Sequence, residues 1–431
     1  MIYATGTPLT YTAVASTQGQ PSDTFTYAWV FDDNTVATGS SYAKTWATIG
    51  NHISNVTATD TVTGGTATAS KVVTVAGGSA SSTSLNTGRA KHASILLNNG
   101  KVLITGGCSV LTSNSTLSSC EIYDPVTGLF TPTGSMNTPR MSHKLALLPN
   151  GDVLAVGGCS LYQSIIGYYS QNVGALTSCE IYSVASGTWT PTGSTATARL
   201  LHTLDVLANG NVIVTGGVVY PSLISTTEIF NPSIGTWSAG PSLPYGLAEA
   251  ASLVETDGTL WLMGGTSSNG TYNGTGVLNY NGSTFTQKAT YPFQSQNSTG
   301  KSGGAILQLG NSIILVGGHD NGWNYYQTDI GTYSILNDTW SQNDTYGRVL
   351  ANSWFSAYPA KSANIILTPV PGNLITAYGG SYALSLSNVA KTSIDSTATY
   401  LGNGYVLVCG GADNLSYQTS IKDAYLYFIG A

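Results

Sequence analysis

Few side chains in this 431-residue chain could bind a metal, form a covalent bond or move a proton near neutral pH. Its five histidines are His52, His92, His143, His202 and His319. Three of them close the same pattern: Arg89-Ala-Lys-His92, Arg140-Met-Ser-His143 and Arg199-Leu-Leu-His202. They read as residues of a structural repeat, hydrogen-bonded near the strand that each precedes. His52 belongs to the N-terminal stretch, and His319 stands outside the pattern. Cys108 and Cys159 each follow a Gly-Gly pair, and Cys120 and Cys179 each precede Glu-Ile-Tyr. These pairs bracket equivalent loops. Adjacent antiparallel strand ends bring Cα atoms within disulfide range, so Cys108–Cys120 and Cys159–Cys179 bridges are expected. Such bridges imply an oxidising exterior. A metal at either place needs more ligands than the sequence offers there. Cys409, inside Tyr405-Val-Leu-Val-Cys409, reads as a buried strand thiol. The chain has no Gly-x-Ser-x-Gly nucleophile elbow. Asp32-Asp33 falls in a turn and reads as solvated, while a glycosidase carboxylate pair elsewhere stays open.

The elements that position these residues follow from a repeat. Seven times an aliphatic run enters a Gly-Gly pair, as in Val102-Leu-Ile-Thr-Gly-Gly107, Val153-Leu-Ala-Val-Gly-Gly158 and Val212-Ile-Val-Thr-Gly-Gly217. A spacing near ~50 residues marks repeated supersecondary units. Before each of the first three runs stands an Asn-Gly turn, at Asn99-Gly100, Asn150-Gly151 and Asn209-Gly210. This is the strongest short hairpin signal, because its central residues need positive φ. Glu-Ile-Tyr-Asp-Pro and Gly-Thr-Trp segments supply a third and a fourth run. Four antiparallel strands per unit, without helical periodicity, describe a propeller blade. The Gly-Gly pair is expected where neighbouring backbones crowd and a Cβ would clash.

Strand, Gly-Gly, Glu-x-Tyr-Asp-Pro and Gly-x-Trp resemble the kelch repeat. With Arg-x-x-His before the first strand, the pattern looks like the repeats of the galactose-oxidase-like superfamily. The resemblance covers residues 85–431 and implies an all-β, seven-bladed propeller, or a six-bladed one if the sixth repeat is an insertion. The last repeat has three strands, and a strand from the segment before Arg89 could close the ring. The copper chemistry of that superfamily needs two His and two Tyr with a Cys bonded to one Tyr. Here only His319 is free of the repeat pattern, so no metal or cofactor is expected.

Residues 1–77 form a different module. Tyr27-x-Trp29-x-Phe31, the alternating Gly50–Asp60 stretch and Val73-x-Val75 resemble the signature of PKD-type immunoglobulin-like sandwiches. The usual Phe-Gly-Asp-Gly turn reads Phe31-Asp-Asp-Asn34. Residues 78–84 are rich in Gly and Ser and read as a flexible linker.

Charged residues make up 8% of the chain and the net charge is −6, so no basic patch for nucleic acid is expected. No apolar run reaches the ~20 residues of a membrane span, and no direct membrane insertion is expected. The start, Met1-Ile-Tyr-Ala-Thr-Gly, lacks a signal peptide's basic and apolar regions. With a surface rich in Ser, Thr, Asn and Tyr, this points to a phage virion component, a fibre, spike or decoration protein. A secreted cell-surface adhesin is the alternative, and a carbohydrate-active enzyme or copper oxidase the alternative of another class. Turns between first and second strands are minimal, whereas loops between second and third strands are long and dissimilar. They carry Tyr162, Tyr168, Tyr169, Tyr220, Tyr272, Trp323, Tyr325, Tyr326 and Tyr417. Long loops on a rigid scaffold usually hold function, and rigid aromatics with polar tips suit glycans or protein surfaces. These nine are the candidate contacts for a host-surface glycan or protein. The N-terminal domain is the candidate anchor to other virion or surface proteins.

Overall fold

The computed structural model describes residues 2–4, 8–16, 24–48, 50–80, 84–110, 115–161, 174–219, 222–267, 276–289, 305–309, 311–316, 330–342, 356–359, 364–367, 375–379, 382–386, 393–394, 397–401, 405–413 and 422–428. All regular structure among them is β.

In the N-terminal domain, Phe25–Phe31 pairs with Val36–Thr38 and with Gly50–Asp60, which pairs with Thr66–Ala80. A second, smaller sheet joins Pro8–Thr12 to Ser41–Thr45. The period-2 alternation read from the sequence puts Trp29 and Phe31 inward, where they meet Leu9, Tyr11, Trp46, Val73 and Val75. The Tyr11 and Phe31 rings meet edge to face at 5.4 Å, a favoured aromatic arrangement.

The repeats form four-stranded antiparallel sheets. Blade one is Ala93–Leu96, Val102–Thr105, Cys120–Asp124 and Leu129–Thr133; blade two is Lys144–Leu147, Val153–Val156, Cys179–Ser183 and Thr188–Thr192. Blade three is Thr203–Val206, Val212–Thr215, Thr227–Asn231 and Thr236–Ala239, and blade four is Ala251–Val254, Leu260–Met263, Val277–Tyr280 and Phe285–Gln287. Blade five is Ala305–Leu309, Ser312–Val316, Ile330–Ser334 and Thr339–Gln342. Two hairpins follow, Ser356–Pro359 with Asn364–Leu367 and Ile375–Gly379 with Tyr382–Leu386. The last blade joins Thr397–Tyr400, Tyr405–Cys409 and Ala424–Phe428. First strands of blades one to five stand side by side in order, that of blade five stands beside Ser356–Pro359, and that of the last blade stands beside that of blade one. This is the inner-strand arrangement of a propeller.

The core is a series of apolar layers between blades. Leu103 and Leu97 of blade one meet Val153, Ala155 and Trp189 of blade two. Leu154 and Val156 of blade two meet Val212, Val214 and Phe230 of blade three. Second strands are covered on both faces, which explains their unbroken aliphatic runs. The Gly-Gly pairs occupy the crowded corner expected of them. Gly106 and Gly107 have φ of +60° and +90°. A Cβ on Gly106 would collide with the Arg140 carbonyl of blade two, and one on Gly107 with the Ala90 carbonyl of its own blade.

One expectation is corrected here. The strand that ends the N-terminal domain runs through the Gly/Ser stretch as far as Ala80. Gly77–Ala80 pairs with Tyr425–Phe428 as the outer strand of the last blade. Residues 78–80 are therefore strand, not flexible linker. The Gly/Ser composition misled because ladder bonds use the backbone, which every residue carries.

Candidate functional site

The nine loop aromatics, Tyr162, Tyr168, Tyr169, Tyr220, Tyr272, Trp323, Tyr325, Tyr326 and Tyr417, all lie outside the described residues, as does His319. The described part of the scaffold is the ring that carries their loops. Its turns between first and second strands are closed tightly: Gly100 N–H donates to the Leu97 carbonyl and Gly210 N–H to Leu207.

The repeated Arg-x-x-His is structural machinery. Arg140 is fully buried. Its Nη1 donates to the carbonyls of Gly157 and Ser178, both at 2.9 Å, and its Nη2 to Glu180 Oε1 at 2.8 Å. Asn137 and Thr138 satisfy the rest of that carboxylate through their N–H groups and the Asn137 amide. Arg89 with Glu121 and Arg199 with Glu228 repeat the motif. Burial pushes the Glu121 and Glu180 carboxyls up, but their arginine and asparagine donors more than offset it, and both lie below the ordinary value. The arginine thus ties the Gly-Gly corner of its blade to the third strand.

The histidines join blades. His143 Nε2 meets Thr105 Oγ1 of blade one at 2.8 Å, and His92 Nε2 meets Thr397 Oγ1 of the last blade at 2.8 Å. His202 is equally buried, but blade two offers Val156 where blade one has Thr105, so its imidazole faces the backbone of Arg199 and Val156 with no hydroxyl partner like that of His143. Burial holds all three imidazoles well below their usual value, so they stay neutral.

The expected disulfides are not formed, and all five cysteines are thiols. Cys120 pairs with Thr105, whereas Cys108 lies three residues beyond Thr105 and faces Ala90 and Thr116. Cys108 therefore sits opposite Thr116, four residues before Cys120, and not opposite Cys120. Cys179 and Cys159 repeat this offset, facing Val156 and Met141 respectively. Cys120 instead fills the layer between blades one and two, beside Met136 and Trp189. Burial pushes the thiols of Cys120 and Cys179 up to about 11. Without these bridges the cysteines carry no sign of an oxidising exterior.

Sequence reasoning missed a polar group near the first strands of blades two to four. Lys144 opens the first strand of blade two, with part of it reaching solvent and protein packed around its ammonium. Burial lowers its ammonium pKa against the attraction of Asp205 and Glu249. Asp205, on the first strand of blade three, lies near Ser252, Thr203 and Lys144, and its Oδ2 has no hydrogen-bond partner. Burial pushes this carboxyl up to about 6, over the opposing pull of those neighbours. Lys144, Asp205 and Glu249 are thus electrostatically coupled across blades two to four. The three side chains come from different blades, and no spacing in the sequence announces them. Among the described residues no group of three or more His, Cys, Asp and Glu side chains is placed to hold a metal ion.

Comparison with known proteins bears on this geometry. Residues 1–75 match the family model of the PKD domain, and residues 89–137 match that of the Kelch motif. The fold is that of a kelch β-propeller behind a PKD domain. A solved structure titled "Structure of YjhT" is similar over 80% of this chain and 96% of its own, with a TM-score of 0.50 and 16% identity. That likeness is one of fold. The kelch match begins at Arg89 and ends at Asn137, so it contains the Arg89–Glu121 pair and the first Gly-Gly corner. No curated protein sequence matches the chain.

Proposed function

We propose that this kelch propeller is a non-enzymatic attachment protein, a virion component whose loops contact a glycan or protein on a host surface. The observation that carries the reading is the difference between the two rims of the ring. One rim is closed by turns such as Asn99-Gly100 and Asn209-Gly210. The segments that join second to third strands are long and dissimilar in sequence and hold the nine aromatics. Rigid aromatics contribute most of the energy at binding surfaces. The sparse charge suits contact with neutral glycans.

The test is a binding series on host cells with the purified chain. Trp323→Ala is expected to weaken binding by about thirtyfold, on the order of 2 kcal/mol. Its thermal unfolding should match that of the parent. Full binding by Trp323→Ala together with Tyr168→Ala and Tyr169→Ala would sink the loop reading. Absence of the chain from purified particles would sink the virion setting and favour a cell-surface adhesin.

A second reading rests on Asp205. Its Oδ2 is buried without a hydrogen-bond partner and its carboxyl is shifted toward neutrality, a combination that recurs at catalytic sites. Turnover on a glycan panel that is abolished by Asp205→Asn would replace attachment with catalysis.

A further inference from the structure

One strand of this molecule belongs to two ladders. Thr66–Val75 pairs with Gly50–Thr59 inside the N-terminal domain, ending at Val75 opposite Gly50. Gly77–Ala80 pairs with Tyr425–Phe428 inside the last blade, beginning at Gly77 opposite Phe428. Only Ala76 separates the two, and Ala76 is itself paired in parallel with Ala4. The two ladders therefore end ~7 Å apart along one extended backbone. A flexible linker would let the domains move independently. Here any bend sharp enough to uncouple them must first break pairs of one ladder or the other. The last blade draws three strands from the far end of the chain and takes its outer strand from this one.

We infer that Thr66–Ala80 is a force-transmitting splint that makes the N-terminal domain and the closure of the ring one cooperative unit. Ladder bonds lie perpendicular to antiparallel strands. A pull on the N-terminal domain along this strand therefore loads the bonds to Tyr425–Phe428 together, in shear. The propeller's closure in turn depends on a strand that the N-terminal domain orders. This coupling follows from the two ladders and stands apart from the attachment reading, which it would serve by fixing the rim relative to the anchor.

The test is hydrogen exchange of the full chain under mild denaturant. Amides of Gly50–Asp60 and of Tyr425–Phe428 are expected to open at the same denaturant concentration with the same slope. Separate opening of the two strands overturns the inference. Gly78→Pro and Ser79→Pro sharpen the test. Alternate residues of an antiparallel strand direct N–H toward the same partner, so one of these substitutions removes a ladder bond. The more damaging one should speed exchange about tenfold in both strands. Acceleration confined to the last blade, or none in either variant, refutes the splint. If neither variant folds, the exchange pattern of the parent chain decides.

Discussion

In blade two, Arg140 opens the inner turn and Glu180 answers it from the third strand. In blade four the same two positions hold Leu247 and Leu278. The equivalence is fixed by the backbone: Gly107 N–H donates to the Arg140 carbonyl, and Gly217 N–H donates to that of Leu247. Glu180 and Leu278 likewise occupy matching places opposite Ala155 and Leu262. The left-handed residue two positions after each opener is also kept, Ser142 at φ +53° and Glu249 at +58°. Arg140 is buried in one blade, and Leu247 and Leu278 are buried in the other among Ile213, Leu260 and Tyr280. The backbone therefore demands a filled, satisfied corner and tolerates two chemistries, provided that both positions change together. A buried ion pair and a well-packed apolar pair of similar volume are close in energy, whereas half of an ion pair is costly.

The largest test of this comparison breaks one half. Arg140→Leu leaves Glu180 buried with Asn137 and Thr138 alone, and should destabilise the propeller by about 3–5 kcal/mol in denaturant unfolding. Arg140→Leu combined with Glu180→Leu rebuilds the blade-four corner and should recover most of that loss. If the double variant is as unstable as the single one, the two blades are not interchangeable solutions.

Acid should separate the two corners next. The Glu180 carboxyl is held below its ordinary value of 4.5 in the folded state. A depressed carboxyl contributes stability that is present above the unfolded pKa and lost as pH falls toward the folded one. Unfolding measured from pH 7 downward should show this loss setting in below pH 4.5, and the Leu–Leu variant should lose less over that range. Equal slopes would mean that Glu180 is not linked to folding.

A smaller effect is expected where two blade interfaces differ. His143 has Thr105 opposite it, whereas His202 has Val156. Val156→Thr should supply the hydroxyl partner that His143 has and stabilise by about 1 kcal/mol. Thr105→Val should cost a similar amount. Neutral outcomes for both would show that water already satisfies these imidazoles.

The smallest expected signal concerns the thiols. Cys120 and Cys179 stand where blade three has Thr227. Buried thiols pushed up to about 11 should resist maleimide at pH 7.5 until the chain unfolds. A mass map of unreduced protein should contain no Cys108–Cys120 or Cys159–Cys179 peptide. Finding either bridge would overturn the strand register at the Gly-Gly corner.

Local chemistry made most of the blade architecture readable from the chain. Asn-Gly demanded its hairpins, Gly-Gly its crowded corners, and alternation at Trp29 and Phe31 its inward face. Each of these acts over a few neighbouring residues, and that is the range in which sequence order and spatial order coincide. Tertiary structure decided the rest. The positive-φ glycines carry Cys108 three residues past the partner of Cys120, so adjacency in a repeat did not become adjacency in space. Gly77–Ala80 joined a blade because backbone pairing leaves no mark in composition. Lys144, Asp205 and Glu249 are coupled only because the first strands holding Lys144 and Asp205, and the one that follows Glu249, stand side by side. Sequence spacing cannot express a contact made by ring closure, since the energy that creates it is the burial of apolar faces between whole blades.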